Sequence, residues 1–204
     1  IQVLNSANVI INGGTFDNYV TCIRNSANSN VKIVDGKFLS ASTLIENFGT
    51  LEVLGGTFNN NTPTASLQFV SIRNNEGAKA RFENCIINSY SHAILNKGTL
   101  TIDNGTILNF KNDTGTGITN IGSLTFGKDD GTNFNNSVMI NGSGIGVESK
   151  GTNCIFNYYD GTINAKEILK GEVNVPINNT ILIETQNNKY VSTIGHITGI
   201  LRNW

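Results

Sequence analysis

Asn47-Phe48-Gly49-Thr50-Leu51-Glu52-Val53-Leu54-Gly55-Gly56-Thr57-Phe58 is the stretch whose reading decides the fold, because recognisable copies of it recur on both sides. Leu51 and Val53 stand two apart, so an extended strand sends both to one face and sends Thr50 and Glu52 to the other. Gly55-Gly56 then turns the chain, and Phe58 opens a second short strand whose side chain aims back at the same interior. The stretch therefore encodes a strand, a corner and a new strand.

Aligned on that corner, the copies set Gly14, Gly36, Gly56, Cys85, Gly105, Gly131 and Gly161 at one position, with separations of roughly 20 to 30 residues that fall in the solenoid range. Ahead of the corner run paired apolar columns: Val9 and Ile11, Val31 and Ile33, Leu51 and Val53, Ala80 and Phe82, Leu100 and Ile102, Leu124 and Phe126, Phe156 and Tyr158. Behind it stand Phe16, Phe38, Phe58, Ile87, Ile107, Phe134 and Ile163, which make a third column. Ile23, Ile45, Ile72, Ile94, Ile118 and Val147 close the copies.

In most copies an asparagine follows two residues after the closing position: Asn5, Asn25, Asn47, Asn74, Asn96 and Asn120. Stacked carboxamides bond from one coil to the next at about 1 kcal/mol net per bond, so a partly buried ladder is expected. At the seventh copy Lys150 takes the place, and the ladder is expected to end there.

Composition agrees with a nearly all-β chain. Of 204 residues 38% are hydrophobic and only 14% charged, Gly numbers 22 and Pro 2, and β-branched and aromatic residues outweigh helix formers. The formal charge is −1, with 14 Lys plus Arg against 15 Asp plus Glu and no basic run, so a nucleic-acid partner has no electrostatic footprint. Cys22, Cys85 and Cys154 lie in separate copies without metal-like spacing and read as small core residues. No stretch reaches the ~20 apolar residues of a membrane span, so no membrane insertion is expected of this segment. No signal peptide is visible and the chain opens in mid-pattern at Ile1, as an excised fragment flanked by neighbouring domains of a longer chain would.

Insertions are expected as loops at 59–66, with Pro63, and at 127–130 and 135–144 in the sixth copy. After Ile163 the periodicity changes. Residues 1–164 are assigned to the coils and 165–204 to a C-terminal β-hairpin cap or the start of a next module, with 180–185 pairing 190–194 across Gln186-Asn187-Asn188-Lys189. The fold expected is all-β: a single-stranded, right-handed parallel β-helix of about seven coils with a C-terminal β cap, a rod of roughly 34 Å at ~4.8 Å per coil. Leucine-rich repeats lack support, since their Leu-x-x-Leu-x-Leu pattern is missing.

The repeated Gly-Thr-Leu-x-Ile-x-x-Gly-Thr-Phe signature, over about residues 5–163, resembles the passenger and stalk β-helices of bacterial surface proteins, including autotransporter-like adhesins. Phe156-Asn157-Tyr158-Tyr159-Asp160-Gly161 is similar to the terminal coil of large, Asn- and Ile-rich extracellular proteins of Gram-positive bacteria. The resemblance implies secretion and display at the cell surface. It rests on corners and core, which specify architecture rather than activity.

Parallel β-helices also serve as polysaccharide lyases and glycoside hydrolases, which would need clustered acids and a nearby base. Asp129-Asp130 is the best local candidate, yet Asp35, Asp130 and Asp160 each precede a glycine and share a turn position that favours Asp-Gly. His92 falls at an inward or edge position of a closing strand, and His196 lies in the tail. A non-catalytic surface module, binding or spacing, is the reading preferred, with a carbohydrate-active enzyme as the alternative; no cofactor, no metal site and no catalytic residue are assigned. A glycan or protein receptor is expected, if at all, at the long loops and an exposed tyrosine: Asn59, Asn60, Asn61, Asn135, Asn136, Asn141 and Tyr159, with Tyr158 in the core.

Overall fold

The computed structural model describes residues 1–171 except 5, 19, 41, 64, 65, 128–137, 152 and 160, together with the backbone strands Lys189–Val191 and Gly195–Ile200. Three β faces wind around one interior. The first face holds Asn8–Ile11, Asn30–Ile33, Thr50–Val53, Lys79–Phe82, Thr99–Ile102, Ser123–Phe126 and Ile155–Tyr158, each paired in parallel with its equivalent one coil on. The second holds Thr15–Asn18, Lys37–Ser40, Thr57–Asn60, Ile86–Ser89, Ile107–Phe110 and Met139–Gly142. The third runs from Gln2–Val3 through Thr21–Asn25, Thr43–Asn47, Ile72–Asn74, His92–Asn96 and Thr116–Asn120 to Ile145–Ser149. Both of these faces meet on the continuous strand Gly161–Lys170, which turns from one to the other. This is a parallel β-helix of seven coils, and strand twist favours the right-handed hand for such crossovers.

The interior follows from the alternation of side chains along each strand. Leu51 and Val53 are buried while Glu52 points out to Lys32, at 2.8 Å, in the coil before. Rings continue the column across the corner: Phe38 stacks on Phe16 at 4.9 Å and on Phe58 at 4.7 Å between centroids, with ring planes nearly parallel in both pairs. At the seventh coil Tyr158 is buried, as expected, and its hydroxyl donates to the Gly161 carbonyl at 2.6 Å. The corner before Phe58 requires glycine for two reasons. Gly56 has φ +99°, and a Cβ there would come within 2.8 Å of the Gly36 carbonyl oxygen of the previous coil.

Cys85 occupies that same corner position, one residue before Ile86, which pairs with Thr57. Two coils depart from the expected alignment. In the fifth, Leu108 rather than Ile107 pairs with Ile87, and Thr106 rather than Gly105 holds the corner, because Asn104-Gly105 makes a corner one residue longer than Gly55-Gly56. In the sixth, Ile140 pairs with Leu108 and takes the column assigned from sequence to Phe134, and Val138 takes the corner assigned to Gly131. Gly131 and Phe134 themselves, with Asp129 and Asp130, lie outside the described residues. The expected loop at 135–144 accordingly contains a second-face strand, Met139–Gly142.

The inner asparagine ladder is present from Asn25 to Asn120. Successive amides, Asn25, Asn47, Asn74, Asn96 and Asn120, donate Nδ2 to the next Oδ1 at 2.8 Å, all fully buried. Its ends differ from expectation. Val3, not Asn5, stands opposite Asn25, and Ser149, not Lys150, stands opposite Asn120, so register and not the neighbouring polar residue decides where the ladder stops. Asn5 lies outside the described residues.

The chain continues in β structure beyond Ile163, with Gly161–Lys170 pairing two strands of the sixth coil. Gly195–Ile200 then adds in parallel to Gly161–Lys170, and Lys189–Val191 pairs antiparallel with Gly195–Ile200. Tyr190 stands opposite Ile197 in that pairing, and Gly195-His196-Ile197 is in register with Gly161-Thr162-Ile163. Residues 180–185 lie outside the described residues.

Alternation sets a sharp contrast between neighbours. Val53→Asp places a charge in the sealed interior, which is expected to cost roughly 3–5 kcal/mol or prevent folding. Glu52→Lys removes one exposed ion pair and sets a lysine between Lys32 and Arg81, at a cost under about 1 kcal/mol. Thermal melts followed by circular dichroism check the pair; equal stability of the two variants would contradict the register.

Candidate ligand-binding face

A second row of asparagines runs along the outside of the second face. Each follows the third interior column: Phe58-Asn59, Ile87-Asn88, Leu108-Asn109, Ile140-Asn141. Asn88 donates Nδ2 to Asn59 Oδ1 at 2.8 Å, Asn109 to Asn88 at 2.8 Å, and Asn141 to Asn109 at 3.2 Å. All four are partly exposed. Beside this row, on the same outward side and two residues earlier in each strand, lie Thr57, Ile86, Ile107 and Met139. Ile86 is 38% exposed.

The inner and outer rows spend their amides differently. In the inner row the ladder bond is joined by a bond from Nδ2 to a backbone carbonyl: Asn25 to Thr50 and Asn47 to Lys79 at 3.0 Å, Asn74 to Thr99 at 3.0 Å, Asn96 to Ser123 at 2.9 Å. Among the described residues the outer amides bond only along their row, so each retains an N–H and an acceptor lone pair that the row does not use.

Two clefts open on this face and share Asn59 and Asn61. The larger, about 830 Å³, lies between the second-face strands of the early coils and the 61–69 segment, with Leu39, Pro63 and Phe69 among its walls and Asp17 at its margin. The smaller, about 260 Å³, is lined by Asn88, Asn109 and Lys111. The 61–69 segment is held by its own polar chemistry. Ser66 caps the short turn Leu67–Phe69 by accepting from the Gln68 N–H at 3.2 Å, and Arg73 donates to the Leu67 carbonyl at 3.1 Å.

The sequence-derived candidates are distributed unevenly. Asn59 and Asn141 are joined in one row through Asn88 and Asn109, which sequence reasoning did not single out although each follows a core column at the same offset. Asn61 is exposed at the cleft. Asn60 is turned inward and buried, donating to the carbonyls of Ser42 and Phe69 and accepting from the Thr62 N–H at 3.1 Å, so it pins the loop rather than lining the cleft. Tyr159 is half-buried in the seventh coil, four coils from Asn59. Asn135 and Asn136 lie outside the described residues.

Elsewhere, several acids stand in ion pairs on the other faces and turns. Glu46 meets Arg24 at 3.4 Å, Asp103 meets Arg81 at 3.4 Å, and Arg81 also contacts Glu83. His92 is a buried third-face residue opposite Thr116. Among the described residues no three His, Cys, Asp or Glu side chains converge as a metal centre would require, and no helix is long and apolar enough to cross a membrane. Burial pushes the Cys85 thiol up to about 12, so it is a packing group and no nucleophile at neutral pH. Burial would likewise raise the Glu148 carboxyl, but hydrogen bonds from Lys150 at 2.8 Å and from Lys170, one coil on, at 3.0 Å outweigh it and hold the group below its ordinary value.

Comparison with known proteins adds one relative. The chain is 31% identical over 114 residues to Outer membrane protein B of Rickettsia japonica (strain ATCC VR-1363 / YH). The match takes in 50% of this chain and 7% of that protein, so the chain spans a small part of its relative's length. No protein-family model matches the chain, and no solved structure does.

The Glu148 clasp has a pH signature. A carboxyl held below its unfolded value contributes stability that is complete above that ordinary value of 4.5 and is lost as pH falls through the lower folded value. Glu148→Gln is expected to be less stable than wild type at pH 7 and to converge on it as pH falls below the ordinary carboxyl value and through the lower folded one. Urea midpoints across that range check the sign; a constant gap between the two proteins would contradict the clasp.

Proposed function

We propose that the chain is a non-catalytic module of a larger bacterial protein displayed extracellularly at the cell surface, where its second face binds a ligand and its coils act as a rigid spacer. The observation that carries the display is the similarity to an outer membrane protein across half the chain, joined to a rod-like fold that presents long sides to its surroundings. The binding role is supported by the outer asparagine row and the two clefts that meet at Asn59 and Asn61. The non-catalytic reading is supported by the placement of the acids. Glycosidic cleavage calls for a pair of carboxyl groups flanking one bond, whereas Glu46 and Glu52 are each matched with a base on a different face, and the neighbouring carboxyls of Glu83 and Asp103 are both held by Arg81. A glycan or protein receptor, engaged for adhesion, is the class of partner proposed.

Two readouts test this. Antibodies raised against the folded module are expected to label intact cells of the source organism as strongly as permeabilised ones, and labelling confined to permeabilised cells would overturn surface display. Purified protein incubated with plant, bacterial and animal polysaccharides is expected to release no reducing sugar. Release above the buffer blank would favour the carbohydrate-active alternative.

A further inference from the structure

We propose that the outer asparagine row is a track for an uncharged, extended oligosaccharide lying parallel to the rod axis, its hydroxyls on Asn59, Asn88, Asn109 and Asn141 and its C–H surface on Ile86, Ile107 and Met139. The inference rests on the binding role proposed above and gives it a ligand class and a direction.

Three observations meet here. The first is hydrogen-bond capacity. An amide that gives one N–H and accepts one bond along the row keeps one donor and one acceptor site that the row does not use, and the residues that carry them are partly exposed. A sugar hydroxyl both donates and accepts, so one hydroxyl meets both functions of an amide, and the row offers such a pair at every coil. The inner row lacks this capacity because its second N–H is given to backbone carbonyls. Ladder bonding also fixes the outer side chains before a ligand arrives, which lowers the entropy lost on binding.

The second is geometry. Parallel strands lie ~4.8 Å apart, close to the advance per residue of an extended β-linked glycan, so successive sugars meet successive coils. Outward residues two apart in a strand are separated by ~7 Å, which sets the aliphatic stripe beside the amide row at about the width of a pyranose. One edge of the chain then meets amides while its axial C–H groups meet Ile86, Ile107 and Met139. The clefts at Asn59 and Asn61 extend the same line toward the early coils, where Phe69 offers a ring.

The third is charge. From the third coil to the sixth, both outward columns of this face are uncharged: Thr57, Ile86, Ile107, Met139 in one and Asn59, Asn88, Asn109, Asn141 in the other. The first face carries Lys32, Glu52 and Arg81 in its outward column, and the third carries Arg24, Glu46 and Arg73. A polyanionic glycan would find no cationic row here, with Lys111 alone at the margin of the smaller cleft and Asp17 opposing it at the larger. A peptide strand would fit less well, because these strands have their backbone groups paired on both sides and present no free edge to extend.

The test is isothermal titration with cellohexaose, chitohexaose and hexagalacturonate, each alongside its disaccharide. At least one neutral hexasaccharide is expected to bind saturably, at least roughly tenfold tighter than its disaccharide since more coils are engaged, and tighter than hexagalacturonate. Asn88→Thr with Asn109→Thr keeps a strand-compatible residue at each place and is expected to weaken that binding at least about tenfold. Ile86→Lys, at an already exposed site, is expected to weaken it as well, whereas Thr101→Ala on the first face leaves it unchanged. Circular dichroism melts establish that each variant is folded. Binding of none of the neutral probes, preference for the acidic one, or affinity untouched by the paired asparagine change would overturn the track. Failure here leaves surface display standing, and sugar release in the earlier assay would overturn the non-catalytic reading while leaving the track intact.

Discussion

A carboxamide buried in the turn of a coil must place two N–H groups and a carbonyl oxygen, and stacking identical amides at the strand spacing solves this with the amides themselves. The inner asparagines use one N–H for the neighbouring Oδ1 and the other for the carbonyl that opens a strand of a later coil. Both needs are met only if every coil sets its asparagine at the same height, so the ladder holds each third-face strand in register with the next. Hydrophobic columns alone would tolerate a slip along the strand by one side-chain pair, because Leu, Ile, Val and Phe are nearly interchangeable there. Amides are not interchangeable with them. Where the row begins, at Asn25 opposite Val3, Oδ1 is buried without a partner among the described residues, which is the local cost of starting such a ladder.

With the inner row and the core columns fixing register, corners are free to vary. The helix accepts a longer corner at Asn104-Gly105, an insertion between Phe126 and Met139, and a capped segment at 61–69, because each returns the chain to the same rung. The excursion that begins at Asn61 is also where both clefts arise. Structural repetition and local irregularity therefore divide the work: the repeated positions make the rod and the outer amide row, and the irregular ones wall the row at one end.

Much of this was legible in the sequence. Leu51 with Val53, and their counterparts from Val9 to Tyr158, betrayed first-face strands because period-two burial on a parallel sheet leaves a fixed apolar spacing. The inner asparagines were legible for the same reason, as one residue type at one offset. The fifth and sixth coils were misaligned since glycine, the marker used for the corner, is needed there only when the chain takes a positive φ or meets a neighbouring carbonyl; Thr106 and Val138 fill that place elsewhere. The outer row stayed hidden in an Asn-rich chain, where Asn88 and Asn109 look like any other strand asparagine until the coils are stacked. Asn59 and Asn141 read as loop residues in the sequence and are the ends of one row in the structure. Asn60 reads the same way, but strand alternation turns it inward.

The central claim is that buried amides couple one coil to the next. A double-mutant cycle on Asn74 and Asn96 by urea denaturation measures that coupling directly, using Asn74→Ala, Asn96→Ala and the pair. Each single change strands a donor or acceptor of its neighbour, and the double change removes both sides of the 2.8 Å bond between them. A coupling of about 1 kcal/mol or more is expected. Additivity within about 0.3 kcal/mol would show that the amides act independently and that register is held by the apolar columns alone.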